Sequence, residues 1–374
     1  MVLVPGTVFA GFTIEALLGR GGMGEVYRAR HPRLPRRVAI KVLTDAAAQD
    51  RAFRTYFDRE ADLAARAHHR NIVTVFDRGI EDGRPWICME FIDGTDVAAL
   101  LRHHRSGLPL PQALHILTQA AAGIDHAHRQ GLLHRDIKPA NILLAPGDPG
   151  EPDRVLVSDF GIARLLDQST ALTATGSFLA TLAYAPPETY TDTPVGRPGD
   201  LYSLGATLFE MLTGSVPFPR ANPAAIMHAH LFDPPPKPSD LRAGLPLPFD
   251  AVLATALAKN PADRFPTARA LAAAATAALP PSAPTTTLAR PVATRPNRSH
   301  GRQLVGWGLA ITAVAGIALA YNTLRTHPTD LPPCPTTETQ PTPTDYPAQP
   351  TAPPLGVPAA TTTPVPGVNC RVVH

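Results

Sequence analysis

The segment His134-Arg135-Asp136-Ile137-Lys138-Pro139-Ala140-Asn141, with Ser158-Asp159-Phe160-Gly161 a short distance on, decides how the chain is read. It gathers carboxylates, a carboxamide and a lysine between apolar runs. A His-Arg-Asp tripeptide recurs by chance in many chains. Its order with Asn141 and then Asp-Phe-Gly does not. Just before it, Pro111 opens an Ala- and Leu-rich segment that reaches Arg129, and Gly131 stops it. The polar stretch is therefore expected in a loop directly beyond a long helix.

Toward the amino terminus, Phe12 to Ala29 reads as two short strands joined by a glycine-rich turn, with Gly19, Gly21 and Gly24 in GxGxxG spacing. Glycines there let backbone amides approach phosphate oxygens. The same spacing marks dinucleotide-binding turns, but those lead into a helix. Here Val26 and Tyr27 continue as strand. Val38-Ala39-Ile40-Lys41 forms a further apolar strand with one lysine. A helix then carries Phe53, Phe57, Ala61, Leu63 and Ala64 on one broad face. Asn71 to Phe76 and Trp86 to Phe91 are expected as strands around a Glu81-Asp82-Gly83 turn.

In type and order these motifs resemble those of bacterial eukaryotic-like (Hanks-type) serine/threonine protein kinases, of the actinobacterial transmembrane kind. The resemblance spans residues 9–279. It implies an α+β fold in two lobes, a small β-rich N-lobe and a larger helical C-lobe. It also implies ATP as nucleotide and Mg2+ as metal, with Mn2+ as an alternative. Phosphoryl transfer spreads charge over the phosphate oxygens, so its catalysis is mainly positioning and electrostatic stabilisation. Asp136 then orients the acceptor hydroxyl and takes its proton. Lys138 lays charge on the moving phosphate, and Thr181 bridges Asp136 and Lys138, which favours serine or threonine acceptors. Asn141 and Asp159 supply hard oxygen donors for the metal.

By the same resemblance Gly19, Gly21, Gly24, Val26, Ala39, Lys41, Glu60, Met89, Glu90, Ile92 and Leu143 make up the nucleotide-binding set. Lys41 reaches the α- and β-phosphates and Glu60 pairs with it in the active state, while Asp58 and Asp62 are surface charges. Met89 takes the gatekeeper position, and Glu90 to Ile92 form the hinge against adenine. Thr173 and Thr175 match autophosphorylated positions, with Ser169, Thr170 and Ser177 behind them. Arg135 is placed to bind a phosphate on that segment. Asp200 holds the catalytic loop from beneath at the start of an amphipathic helix, and Glu188 pairs with Arg264 in the interior. Ala180 and Pro187 depart from the family pattern. The reading is an ATP-dependent serine/threonine protein kinase acting on protein substrates. The alternatives are a pseudokinase scaffold or a signalling receptor without catalysis.

Composition limits the rest. The 374 residues carry a net charge of +3, 43 prolines and three cysteines. That balance shows no nucleic-acid signature, and the cysteines offer no CxxC metal spacing. Cys88 is expected as a buried apolar filler, and the paired histidines as surface or helix residues. The amino terminus lacks a basic n-region, which argues against a cleaved signal peptide. Residues 280–303 read as a basic juxtamembrane linker with Arg290, Arg295, Arg298 and Arg302 and no acid. Residues 304–324 carry no charge and span roughly 31 Å as a helix, close to a hydrocarbon layer of ~30 Å. Arginines on the amino-terminal flank place the kinase domain in the cytoplasm and the disordered Pro/Thr-rich tail, 325–374, outside a single-pass cell-membrane protein. Membrane lipid is thus an expected partner. Gly308, Thr312, Gly316 and Ala320 form a stripe suited to a homodimer, and Cys334 with Cys370 could close an external disulfide.

Overall fold

Alternation of apolar residues from Phe12 onward builds a sheet. The structure is a computed structural model and describes residues 2–21, 24–43, 51–147, 150–160, 181–191 and 193–280; side chains of 51–56 are outside that description. Strands β1 (Val8–Phe9), β2 (Phe12–Gly21), β3 (Gly24–Arg30), β4 (Arg37–Leu43), β5 (Val75–Glu81) and β6 (Arg84–Glu90) lie in the order β1-β2-β3-β4-β6-β5, all antiparallel. Because side chains alternate between faces, β4 sends Val38, Ile40 and Val42 to one face, against Tyr27, Phe12 and Trp86. Ala39, Leu43, Ile87 and Met89 serve the other, where helix α1 (Arg51–Arg66) adds Phe57. Phe57, Glu60, Ala61 and Ala64 are buried, at helical spacing. Asp58 and Asp62 turn outward to Arg78, at 2.9 and 2.8 Å.

The expected strand over Asn71–Phe76 is displaced: β5 begins at Val75, and its turn is Asp82-Gly83. The chain at 71–73 pairs instead with the larger lobe. Val157 N donates to Asn71 O (2.9 Å), Val73 N donates to Val157 O (3.0 Å), and Asn71 Nδ2 donates to Val155 O (2.8 Å). Alternation alone cannot say which sheet a strand-like segment joins.

The larger lobe holds a small sheet of β7 (Thr95–Asp96), β8 (Ile142–Ala145) and β9 (Arg154–Val157). Its helices are α2 (Val97–His103), α3 (Leu110–Arg129), α4 (Arg197–Thr213), α5 (Pro223–Phe232), α6 (Pro238–Leu241), α7 (Pro248–Ala256) and α8 (Ala268–Ala277). The core joins α3, α4, α7 and α8. The α4 helix is buried almost all round, not amphipathic as its sequence suggested, because the other helices pack about it. Asp96, Asn222 and Thr267 cap α2, α5 and α8 by accepting backbone N–H groups.

Glu188 and Arg264 meet as a bidentate pair, both contacts at 2.8 Å, with the arginine side chain wholly enclosed. The remaining guanidinium donors reach Pro198 O, Ala258 O and Lys259 O. Cys88 is buried, as expected. Thr173, Thr175, the 304–324 span and the 325–374 tail lie outside the described residues, as does the linker beyond Pro280. Among the described residues, no helix is long and apolar enough to cross a membrane and no cluster of metal-ligating side chains occurs.

Removing one member of the enclosed pair leaves the other charge uncompensated. Arg264→Ala is expected to lower the unfolding free energy by about 3 kcal/mol or more in urea titration. Glu188→Leu with Arg264→Met should cost less than either single change; a double variant that is the least stable of the three contradicts this.

Candidate active site

The loop after α3 is fixed from below by one carboxylate. Asp200, 1 % exposed in the first turn of α4, accepts from His134 N (2.8 Å), Arg135 N (2.7 Å) and His128 Nε2 (2.7 Å). Burial acts to raise its pKa, but the hydrogen bond and charge of His128 outweigh that and hold it below the ordinary carboxylate value. Arg135 is thereby kept at φ 63, a left-handed conformation that costs a residue with a side chain on the order of 1 kcal/mol or more. His134 is fully enclosed, and burial lowers its pKa, so the ring is neutral. Its Nε2 donates to Ser158 O (2.8 Å), its Nδ1 accepts from Asp136 N (3.3 Å), and its ring lies against Phe160.

Asp136 is held on two sides. Lys138 Nζ donates to Oδ1 and Oδ2 (3.0 and 2.8 Å) and also to Thr181 Oγ1 (3.0 Å). Asn141 Nδ2 donates to Asp136 O (2.8 Å) and Oδ2 (3.1 Å). With its amide nitrogen committed, Asn141 keeps its side-chain oxygen as an acceptor. The three residues expected to act on the hydroxyl therefore converge, and the lysine is the element that joins the other two.

Asp159 stands at φ 60 and receives Lys41 Nζ at 2.7 Å across the lobes. Burial works to raise its pKa, yet the Lys41 ammonium and its hydrogen bond hold the carboxyl below the ordinary range. The expected Lys41–Glu60 pair is absent. Glu60 instead meets Arg135 Nη1 at 3.5 Å, so the arginine anticipated for a loop phosphate is engaged by the helix acid. Each acid is chemically able to serve either cation, and spacing along the chain cannot rank the two pairings.

The expected adenine-binding residues belong to one apolar cluster. Ala39 and Met89 pack with Leu156 and Ala145, and Val26, Ile92 and Leu143 border them. Ala39 and Met89 face each other across β4 and β6, and Glu90 ends β6. In the glycine-rich turn, Gly24 has φ 150 and a Cβ there would lie 2.1 Å from Val42 O, so only glycine fits. At Gly19 and Gly21 a Cβ would meet nothing within 4 Å. Packing inside the protein does not require glycine there; close approach of a ligand to the backbone supplies a reason.

The site suits a hard divalent cation. Asp159 is held in its ionised form by Lys41, and the amide oxygen of Asn141, which accepts no side-chain or backbone donor among the described residues, is a second oxygen donor. Sequence reasoning missed His128, taken for a surface or helix histidine. The signal was present: it continues the buried α3 stripe of Leu117, Ala120, Ala121 and Ile124, where a polar residue needs a partner. It also missed the bond from Tyr184 Oη to Glu210 Oε2 (2.5 Å), which ties the segment after Thr181 to α4.

A β-rich lobe set on a helical lobe, with a lysine-bearing strand facing two acidic loops, defines the protein kinase class. The chain belongs to the protein kinase domain family, whose model matches residues 12–274. It is 49 % identical over 267 residues to the serine/threonine-protein kinase PknF of Mycobacterium tuberculosis, covering 71 % of this chain and 56 % of that one. It is 50 % identical over 279 residues to the serine/threonine-protein kinase PknJ of Mycobacterium bovis, covering 74 % and 47 %. The chain thus spans about half the length of the curated relatives it matches. The crystal structure of the Mycobacterium tuberculosis PknI kinase domain superposes with TM-score 0.61 at 38 % identity, covering 74 % of this chain and all of that one.

Asp200→Asn keeps the shape but turns an amide donor toward groups that themselves donate. It is expected to reduce stability by about 2 kcal/mol, read by denaturant unfolding. An unchanged midpoint rejects Asp200 as the anchor of the loop.

Proposed function

We propose that the chain is an ATP-dependent serine/threonine protein kinase, a phosphotransferase that acts on protein hydroxyls and on its own Thr173 and Thr175. The observation that carries this reading is Asp136 clamped by Lys138 and Asn141, with Thr181 on the same ammonium. Relatives named as serine/threonine-protein kinases at about half identity support it.

In this reading the adenine ring enters between Val26, Ala39 and Leu143, beside Met89, and meets the backbone of Glu90 to Ile92. The amides of the Gly19–Gly24 turn and Lys41 hold the phosphates. Asn141 and Asp159 would hold Mg2+, or Mn2+ in its place, which supplies charge neutralisation at the phosphate oxygens. Asp136 orients the incoming hydroxyl and accepts its proton, while Lys138 compensates charge on the transferring group. Lys41 leaves Asp159 for Glu60 when the nucleotide and metal are held. Glu60 must then leave Arg135, and a phosphate on Thr173 or Thr175 is a stronger partner for that arginine than a carboxylate.

The kinase domain is assigned to 9–279, the basic linker to 280–303, a single membrane span to 304–324 and an extracytoplasmic tail to 325–374. The uncharged run and the arginines before it support this. The partners are ATP, protein substrates and membrane lipid, with a second copy of the chain a further candidate.

Incubated with MgATP, the protein is expected to acquire phosphate mapping to Thr173 and Thr175, and Asp136→Asn should lower kcat by about 10²-fold or more. Equal labelling of both proteins removes Asp136 from its role. For the anchor, the full chain should stay with membranes through an alkaline carbonate wash. Its recovery in the soluble fraction refutes the span.

A further inference from the structure

The glycine-rich turn has a connection to the amino-terminal segment that the nucleotide site does not account for. Leu3 is buried against Phe9, Phe12 and Tyr27 on the outer face of the sheet. The chain just after it is laced to β2, with Gly6 N donating to Ile14 O and Ile14 N to Thr7 O, each at 2.9 Å. Leu3 N donates to Tyr27 Oη at 3.0 Å, and the same hydroxyl donates to Glu25 Oε2. The other oxygen of that carboxylate receives Arg20 Nη2 at 2.8 Å. Arg20 stands between Gly19 and Gly21, directly across from Glu25 in the β2–β3 register.

We propose that Tyr27 is a positioning residue for nucleotide binding, its hydroxyl joining the segment at Leu3 to the base of the glycine-rich turn through Glu25 and Arg20. Tyr27 is fully buried, so an unpaired hydroxyl there would be costly, and it has one donor and one acceptor bond. Burial, followed by the Glu25 hydrogen bond, raises its pKa, which keeps the phenol protonated and donating. Arg20 is more than half exposed, and such a surface ion pair by itself contributes little. Here Glu25 is already held by the buried phenol, so the pair forms with less loss of side-chain freedom. The turn that receives the phosphates is then limited in its excursions by a contact on the opposite face of the sheet, without Tyr27 touching nucleotide. A packing role alone would be met by phenylalanine.

The inference rests on the kinase reading above, and the test separates the two. Full-length wild type, Tyr27→Phe, Leu3→Ala and the double variant are compared by steady-state kinetics, by MgATP titration calorimetry and by thermal melting. Each single change is expected to raise KM and the dissociation constant for MgATP about threefold: Tyr27→Phe removes both bonds of the hydroxyl, and Leu3→Ala keeps the main-chain N–H but strips the apolar contacts that seat it against Tyr27. It should leave kcat and the KM for protein substrate within about twofold. The double variant should bind MgATP no more weakly than Tyr27→Phe, because both changes break one chain of contacts. Unchanged MgATP affinity, with or without a lower melting temperature, overturns the proposal. An equal rise in protein-substrate KM, or multiplicative effects in the double variant, does the same. A wild type that binds MgATP but transfers no phosphate refutes the kinase reading and leaves the affinity comparison intact.

Discussion

A carboxylate removed from water must be met by donors, and Asp200 is met by three of them from two elements. That requirement fixes the geometry of the whole loop that follows α3. Two donors are consecutive backbone N–H groups, so the peptide planes at His134 and Arg135 cannot rotate without leaving a charge unpaired. The left-handed backbone of Arg135 follows from this, and with it the direction in which Asp136 leaves the loop. Helix α4 can supply such an anchor because it is enclosed by other helices and cannot shift to relieve strain.

From that anchor a second constraint runs toward the smaller lobe. His134 donates to Ser158 O, and Asn141 O accepts Ser158 N at 2.9 Å, so the segment bearing Asp159 is tied to the one bearing Asp136. Residues 71–73 add main-chain bonds to Val157 just ahead of it. The carboxylates of the two loops are therefore placed by one connected set of hydrogen bonds. Lys41, on β4, is the group that arrives from the other side. Catalysis that depends on positioning needs this division: a rigid acidic floor, and a cation carried by a lobe joined to it through few strands.

Much of this was legible in the sequence where the signal is local. The glycine-rich turn followed by strand and the long helix stopped at Gly131 are local patterns, whereas the Glu188–Arg264 pair, 76 residues apart, was implied by the family resemblance. What was misread depends on tertiary competition. Ile72 and Val73 look like strand, but which lobe pairs with them is decided by Asn71 and β9. Helix α4 reads as amphipathic because Asp200 and Ser203 are polar, yet both are buried. His128 resembles its neighbours His126 and Arg129 until its register on the buried stripe is counted. The exchange of partners among Lys41, Glu60, Arg135 and Asp159 could not be read at all, since each acid is chemically able to serve either cation.

That last ambiguity has physical content. Lys41, Arg135 and Lys138 face Glu60, Asp136 and Asp159, three cations against three carboxylates. The observed pairing and the one expected of a working kinase leave this balance unchanged, so Coulomb energy alone discriminates weakly between them. Geometry discriminates better. The contact of Glu60 with Arg135 is 3.5 Å, against 2.7 Å for Lys41 with Asp159, and the buried Nε of Arg135 has no hydrogen-bond partner among the described residues. The arginine is thus poorly satisfied by Glu60, whereas a multidentate anion could use its remaining donors. A return of Glu60 to Lys41 would give up the long contact at Arg135 and, where Lys41 leaves Asp159, the short one as well, so it needs new partners for both Arg135 and Asp159. Of the two observed pairs, the one at Arg135 is the more readily exchanged, because its contact is the longer and its guanidinium the less fully satisfied.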